Sequence, residues 1–292
     1  MGNNFTSVNT EVLGQLVLDQ FVATLTPLRA FTVSATNQAA YRGYTVKVLN
    51  VQTSSAALDY TTTYAMQDTH GSSVDVTLDK HKYVSMELKD SEWRDSGLLS
   101  VEAFARSKGY SLANSILTDV MSFASASFYT ETRTVAKSTA FSSSAVVDLS
   151  AYADGLNWPQ FGRSMVLTPT QHSYLRKDNV IAQTYSYGSS DVIRKGQIPS
   201  VDTFENIYKS PVVVSGTVGL CAVPNAIVFA SRVVEPQEPN QYSSVRVVSD
   251  EDTGLSLTEL TWHNPDSGAK RVVWTCEYGY NIGNPKGAFL LI

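Results

Sequence analysis

Four histidines, His70, His81, His172 and His263, are the residues from which a metal or acid–base site would be built. They fall in four separate segments. None has a histidine or cysteine two to four positions further on, the spacing that paired zinc ligands need. Cys221 and Cys276 are too few and too far apart for a disulfide framework or a zinc site, so they read as two buried thiols in a reducing compartment. The glycines between Gly279 and Gly287 have the wrong spacing to cradle a phosphate and read as turns. Asp250, Glu251 and Asp252, followed by Gly254, begin like a calcium loop but lack the third acidic ligand and the distal glutamate; a solvated turn fits them better. A Ser–His–Asp triad needs only parts that any serine-rich chain contains, and no nucleophile-elbow spacing marks one here. The expectation is no catalysis, no cofactor and no metal.

The totals narrow the class. The chain has 292 residues, enough for a substantial core in one large domain or two modest ones. Charged residues make up 17% against a usual ~25%, with serine and threonine in their place. Such a surface suits broad contact with other protein, whose interface cores are poor in Lys, Glu and Asp; it equally suits Ser/Thr-rich strands. The net charge of −5 comes without a Lys/Arg stripe, so the electrostatic footprint of a nucleic-acid reader is missing. No basic-then-apolar leader opens the chain, and no apolar run approaches the ~20 residues of a membrane span. The expectation is a soluble intracellular protein.

Hydrophobic spacing gives the elements. Leu13, Leu16, Val17 and Phe21 share the face of a helix over residues 11–25, capped by Thr10 and ended by Pro27. Tyr44, Val46 and Val48 alternate with Thr45 and Lys47 in a half-buried strand. The return strand carries Val76 and Leu78, then Val84, Met86 and Leu88, with Asp79, Lys80, His81 and Lys82 between them. Residues 52–73 form a long polar tip bearing Tyr60, Tyr64 and Met66. A two-stranded ribbon is marginal alone, so this arm must lie on its own body or on a neighbour. Next comes the longest helix, 97–125, with Leu98, Val101, Ala105, Leu112, Ile116, Val120 and Phe123 at helical spacing and a bend or break expected at Gly109. A short helix covers 146–156. The strand 164–167 leads into a capping box, Thr168 to Gln171, with proline at the first helical position. Residues 218–234 form a buried strand with a turn at Pro224-Asn225. The last fifty residues alternate again around Val245, Leu257, Val272 and Trp274, with turns at Asn264-Pro265 and Asn284-Pro285.

In this order the parts resemble the major capsid (coat) proteins of tailed double-stranded DNA bacteriophages, which have the Hong Kong 97-type fold. The resemblance covers nearly the whole chain. It is carried by RGYTVKV (Arg42–Val48), LDKHKYVSMELKD (Leu78–Asp90), FGRSMVLTPTQHSYLRKD (Phe161–Asp178), GQIPSVDTFENIYKS (Gly196–Ser210) and GLSLTELTWHNPDSGAKRVVWTCEYG (Gly254–Gly279). It implies an α+β fold in five parts: an N-terminal arm and helix (1–40), an extended β-hairpin loop (41–90), a peripheral domain with its spine helix (91–127), an axial domain (128–222) and return strands (223–292). It implies that the loop lies over a neighbouring subunit, with Tyr60, Tyr64 and Met66 at its tip and Lys80 and Lys82 at an intersubunit contact, Val84, Met86 and Leu88 packing at its root. It also implies self-assembly as pentamers and hexamers into an icosahedral head. The partners would be a separate scaffolding protein, a portal protein at one vertex, and packaged DNA held without sequence-specific binding; no membrane is involved. The location would be the virion, after assembly in the host cytoplasm. Two other readings stay open: an encapsulin-like compartment shell, and a β-rich tail or adhesion module, against which the long helix and the 161–178 unit speak.

Overall fold

The computed structural model describes residues 6–34, 45–51, 59–60, 71–89, 98–125, 127–135, 141–183, 198, 200–249 and 255–292. The chain opens with helix α1 (Thr6–Leu25), then a 3-10 turn (Thr26–Ala30) and strand β1 (Thr32–Ser34). A hairpin of β2 (Thr45–Val51) and β3 (Gly71–Thr77) leads to β4 (Lys80–Lys89) and the long helix α2 (Leu98–Phe123). Then come β5 (Thr132–Arg133), α3 (Ser143–Gly155), β6 (Arg163–Leu167), α4 (Pro169–Lys177), α5 (Asn179–Gln183), β7 (Phe204–Lys209) and β8 (Gly219–Ala222). The rest is β9 (Ile227–Arg232), β10 (Ser244–Ser249), β11 (Ser256–Asn264), β12 (Ala269–Ile282) and β13 (Ala288–Leu291).

These strands form two larger sheets and the separate β2–β3 pair. In the first sheet β12 is the spine. It pairs with β4 along one edge, and along the other with β11 and then β9; β10 extends β11 and β1 extends β9. The alternation on β12 turns Val272, Trp274, Cys276 and Tyr278 inward, where α1 and α2 cover them with Val17, Phe21, Leu112, Ile116 and Val120. The second sheet runs β5-β13-β8-β6-β7. Every residue of β6 and β8 is buried, because this sheet is covered on both faces. Val166, Leu220 and Leu290 face the first sheet's core, while Met165, Leu167, Cys221 and Phe289 pack under α3, α4 and α5.

The chain passes between the sheets three times, and the passages are bonded to one another. The Asn284 amide donates to the Asn225 carbonyl at 2.9 Å, the Val223 amide to the Gly287 carbonyl at 2.9 Å, and the Tyr129 hydroxyl to the Ala226 carbonyl at 2.6 Å. Trp158 Nε1 donates to the Lys286 carbonyl at 2.7 Å from the helix side.

Several sequence expectations hold and several shift. Half of the capping box is present: Thr168 Oγ1 accepts from the Gln171 amide, but the Thr168 amide donates to the Val218 carbonyl at 3.0 Å and not to the Gln171 side chain. The first helix ends at Leu25, two residues before Pro27, but begins at Thr6, so Thr10 lies within it rather than capping it. The stretch 218–234 is two strands in different sheets, because Pro224-Asn225 is a crossing point and not a hairpin turn. Helix α2 runs unbroken through Gly109. The glycine serves the crossing of the two helices: a Cβ there would lie 2.6 Å from the Val17 carbonyl oxygen of α1.

Two glycine substitutions separate propensity from packing. At Gly155, the end of α3, an added methyl would meet nothing within 4 Å. Gly155→Ala should therefore be neutral or stabilise by up to about 1 kcal/mol. Gly109→Ala should destabilise by about 1–3 kcal/mol despite its gain in helix propensity, since backbone must move. Chemical denaturation of the two variants checks the difference in sign.

Candidate assembly surface

The hairpin leaves the body over the outer face of the first sheet. Its root is a small apolar cluster in which Val46, Val76 and Leu78 pack on Val228 and Ala230 of β9. The chain crosses β12 at Gly279, where a Cβ would sit 2.0 Å from the Thr77 carbonyl oxygen, so no side chain fits. Asn281 Nδ2 donates to the Asp75 carbonyl at 2.7 Å and ties the return limb down. Toward the tip, Tyr60 is 63% exposed. Tyr64 and Met66 lie outside the described residues.

The sequence pattern predicts one return strand from Val76 to Leu88. The structure breaks it at Leu78-Asp79 into two strands with different jobs: β3 belongs to the hairpin, and β4 belongs to the main sheet along its whole length. The crossing at Gly279 forces the break, since the chain must step over β12 before pairing along its edge. Lys80 and Lys82 share the inward face of β4 with Val84, Met86 and Leu88. Lys82 Nζ meets Asp119 Oδ2 of α2 at 2.7 Å and donates to the Ser115 oxygens, Oγ at 2.7 Å and carbonyl at 3.2 Å. Asp119 Oδ2 also accepts from the Tyr278 hydroxyl at 2.7 Å. Burial, first, and the Asp119 carboxylate, second, push the Tyr278 phenol far above its ordinary range, so it stays a donor. Lys80 Nζ lies 5.3 Å from the centre of the Tyr280 ring. The charged interruption of the apolar row is a polar clamp joining β4, α2 and β12 at the rim of the core.

The Lys82–Ser115 pair has the distance of a serine–lysine nucleophile, but an ammonium donating to three oxygens has no lone pair to act as base. Cys276 is fully buried and its thiol is pushed up to about 12, by burial first, so it holds no thiolate at neutral pH. Of the histidines, His81 meets Thr275 Oγ1, His263 is exposed, and His172 is buried on α4, its pKa lowered by burial and then by Lys209 and Arg176. His70 and the Asp250–Gly254 turn lie outside the described residues.

Beyond the hairpin root, the outer face of the first sheet displays exposed side chains on its edge strands β4 and β10. Register places Val247, Thr258, Thr275 and Tyr83 in one cross-strand row and Val245, Leu260, Val273 and Ser85 in the next. Tyr83 is 66% and Val247 50% exposed, while the two threonines between them are buried. The third row holds Trp262 and the Arg271–Glu87 ion pair, with Nε–Oε2 at 2.9 Å. A second exposed anchor stands on the other sheet. Phe161, 74% exposed, tips an arch tied down by the fully buried Arg163. The guanidinium donates to Pro159 O (2.6 Å), Trp158 O (2.8 Å), Thr203 Oγ1 (3.1 Å) and Asp154 Oδ1 (2.6 Å). Large rigid aromatics displayed in this way are the residues that anchor protein–protein contacts.

Solved structures share this arrangement. The capsid of the cyanophage P-SCSP1u superposes with a TM-score of 0.55 at 12% identity, over 89% of this chain and 85% of that one. The capsid of Ralstonia phage GP4 gives 0.56 at 11%, over 90% and 89%. The chain has the phage capsid fold. A virus-like particle from Pyrococcus furiosus gives 0.56 at 11% identity, over 97% of this chain and 98% of that one. No family model and no curated protein matches the sequence. The α+β architecture with hairpin, long helix and second α/β unit is therefore the Hong Kong 97-type arrangement that the sequence resembled.

The clamp makes a stability prediction. Asp119→Ala leaves the Tyr278 hydroxyl without its acceptor and the Lys82 ammonium with the two Ser115 oxygens alone, and should cost about 1–3 kcal/mol. The double variant Lys82→Met with Asp119→Leu should lose less than Asp119→Ala, because no ammonium is left without its counter-charge. Urea unfolding of the two variants tests this.

Proposed function

We propose that the chain is the major capsid protein of a tailed phage, a structural protein whose work is assembly and not catalysis. The observation that carries this is the likeness to phage capsids over nearly the full length of both chains. The surface supports it. Among the described residues the ribbon buries apolar side chains at its root, and backbone ordering costs about 1–2 kcal/mol per residue, so contact with a neighbour would favour the ribbon's fixed position. A second copy offers what the subunit does not, through the exposed Val245, Val247 and Tyr83 and the charge-poor exterior. In this reading Tyr60, Tyr64 and Met66 meet a neighbouring copy, and Lys80 and Lys82 border that contact while keeping their internal bonds. Residues 128–222 form the axial part around which copies gather as pentamers and hexamers. A separate scaffolding protein guides closure, a portal occupies one vertex, and DNA fills the head without sequence-specific binding, in keeping with the net charge of −5. The virion is the site of action and the host cytoplasm the site of assembly. A second reading, an encapsulin-like compartment shell, is favoured by the match to the Pyrococcus furiosus virus-like particle, which spans 97% of this chain.

Sedimentation and negative-stain microscopy test the proposal. Expressed with a scaffolding protein from the same source, the chain should form closed shells; particles of one small uniform size enclosing protein without any scaffold would favour the compartment, and a strict monomer under both conditions would overturn both. Deleting residues 56–70 should keep the melting temperature within a few degrees while abolishing shells. A deletion variant that unfolds would show instead that the tip packs on its own subunit.

A further inference from the structure

Beneath α1 the first sheet is polar where a core would be apolar. Glu259 on β11 is 1% exposed and faces inward. Its Oε2 accepts from Trp274 Nε1 at 2.9 Å, while Oε1 has no hydrogen-bond partner among the described residues. The next inward residue on the strand, Thr261, likewise buries an Oγ1 with none. Helix α1 closes over this carboxyl at Gly14, where a Cβ would lie 2.5 Å from Oε2. Three residues on, Val17, and then Phe21 and Leu25, are fully buried, so the second half of α1 is anchored by apolar contact, whereas at Gly14 the helix rests on a carboxyl group.

The charged surroundings come from each packed element. From β10, Arg246 stands opposite Glu259 in register. From β12 comes Lys270, whose ammonium is disfavoured by its own burial. On α1, Asp19 is exposed and accepts from Gln15, and the side chain of Glu11 lies outside the described residues. Burial is the largest influence on Glu259 and raises its pKa; the Trp274 bond, Arg246 and Lys270 offset this only in part.

We propose that Glu259 is a proton-controlled seat for the first half of α1: protonated, it lets the helix close over it, and ionised, it draws in water and lifts those turns away. The inference stands on the fold alone and does not depend on the shell reading. The direction follows from linkage. Closed, the carboxyl binds its proton more tightly than when open, where it titrates near the ordinary 4.5. Opening therefore grows by up to about tenfold per pH unit from that value to the raised one, and is flat above it.

Hydrogen exchange of the native full-length chain between pH 4.5 and 9, read by mass spectrometry and corrected for intrinsic exchange, tests this. Residues 6–16 should lose protection as pH rises, by up to about tenfold per unit, while residues 17–25 and α2 do not. Glu259→Gln should remove the slope and keep the low-pH protection at every pH. Should that variant fail to fold, Gly14→Ala crowds the seat whatever its charge, and should give low, pH-independent protection confined to residues 6–16. An absent slope in the unmodified protein, or the same slope in either variant, overturns the proposal.

Discussion

Three passages of chain between two sheets must meet at one place, and the rest of the molecule depends on that meeting. The β8–β9 turn, the β12–β13 turn and the segment after α2 each bring backbone polar groups to the edge of the shared core, where amides and carbonyls turned inward need a partner. They satisfy one another: Asn284 bonds Asn225, Val223 bonds Gly287, and Tyr129 reaches Ala226. Glycine is required where the turns touch, since a Cβ on Gly283 would lie 2.3 Å from the Asn225 carbonyl oxygen. Through this knot the sheets share a core, with Leu220 and Leu290 of one packed into the cluster that holds Trp274 and Tyr278 of the other. Their mutual angle is thus set by covalent turns and by packing at once.

Much of this was legible in the sequence, for a simple reason. Period-two alternation on β12 and helical spacing on α2 are local records of which face is buried, and burial is what the fold decides. The α/β unit at 163–177 was readable from Thr168, Pro169 and Gln171 because capping is local chemistry. The order of parts also sufficed for the resemblance to capsid proteins. What could not be read is contact between distant segments. Pro224-Asn225 and Asn284-Pro285 each announce a turn, and nothing in either says that the two turns touch. Gly109 reads as a weak point in a helix until α1 is seen crossing it. Glu259 stands between Thr258 and Leu260, a pattern that leaves its face open, and the presence of α1 above it makes it buried. Its one sequence-level trace is Gly14, a glycine inside a helix.

The lysines of β4 show the same limit from the other side. A charge in an apolar row suggests a strand leaving the body. Here the row simply reaches the rim of the core, where a long side chain can pack its stem beside Val84 and still deliver its ammonium to Asp119. The departure lies a few residues earlier, at a position the sequence marks only by Gly279 on another strand. Distinguishing the two needs the partner strand, because an inward-facing lysine is explained by what it meets.

The contrast between the knot and the hairpin bears on assembly. In the shell reading, a closed shell with more copies of one chain than its symmetry has equivalent positions places identical subunits in environments that differ, so some part must adapt while the rest keeps its shape. The two-sheet body is cross-bonded and shares apolar packing, which makes it stiff as a unit. Among the described residues, the hairpin is held by a cluster of five buried apolar residues with Val74 packed against it and by a bond from Asn281. A small root resists bending far less than a shared core does. In the shell reading, deformation between neighbours therefore falls on the hairpin, and the body transmits the geometry of one contact to the next without absorbing it. The stiffly tied Phe161 arch fits that division, since an anchor on a rigid body fixes an angle, whereas an anchor on a compliant limb fixes only an attachment.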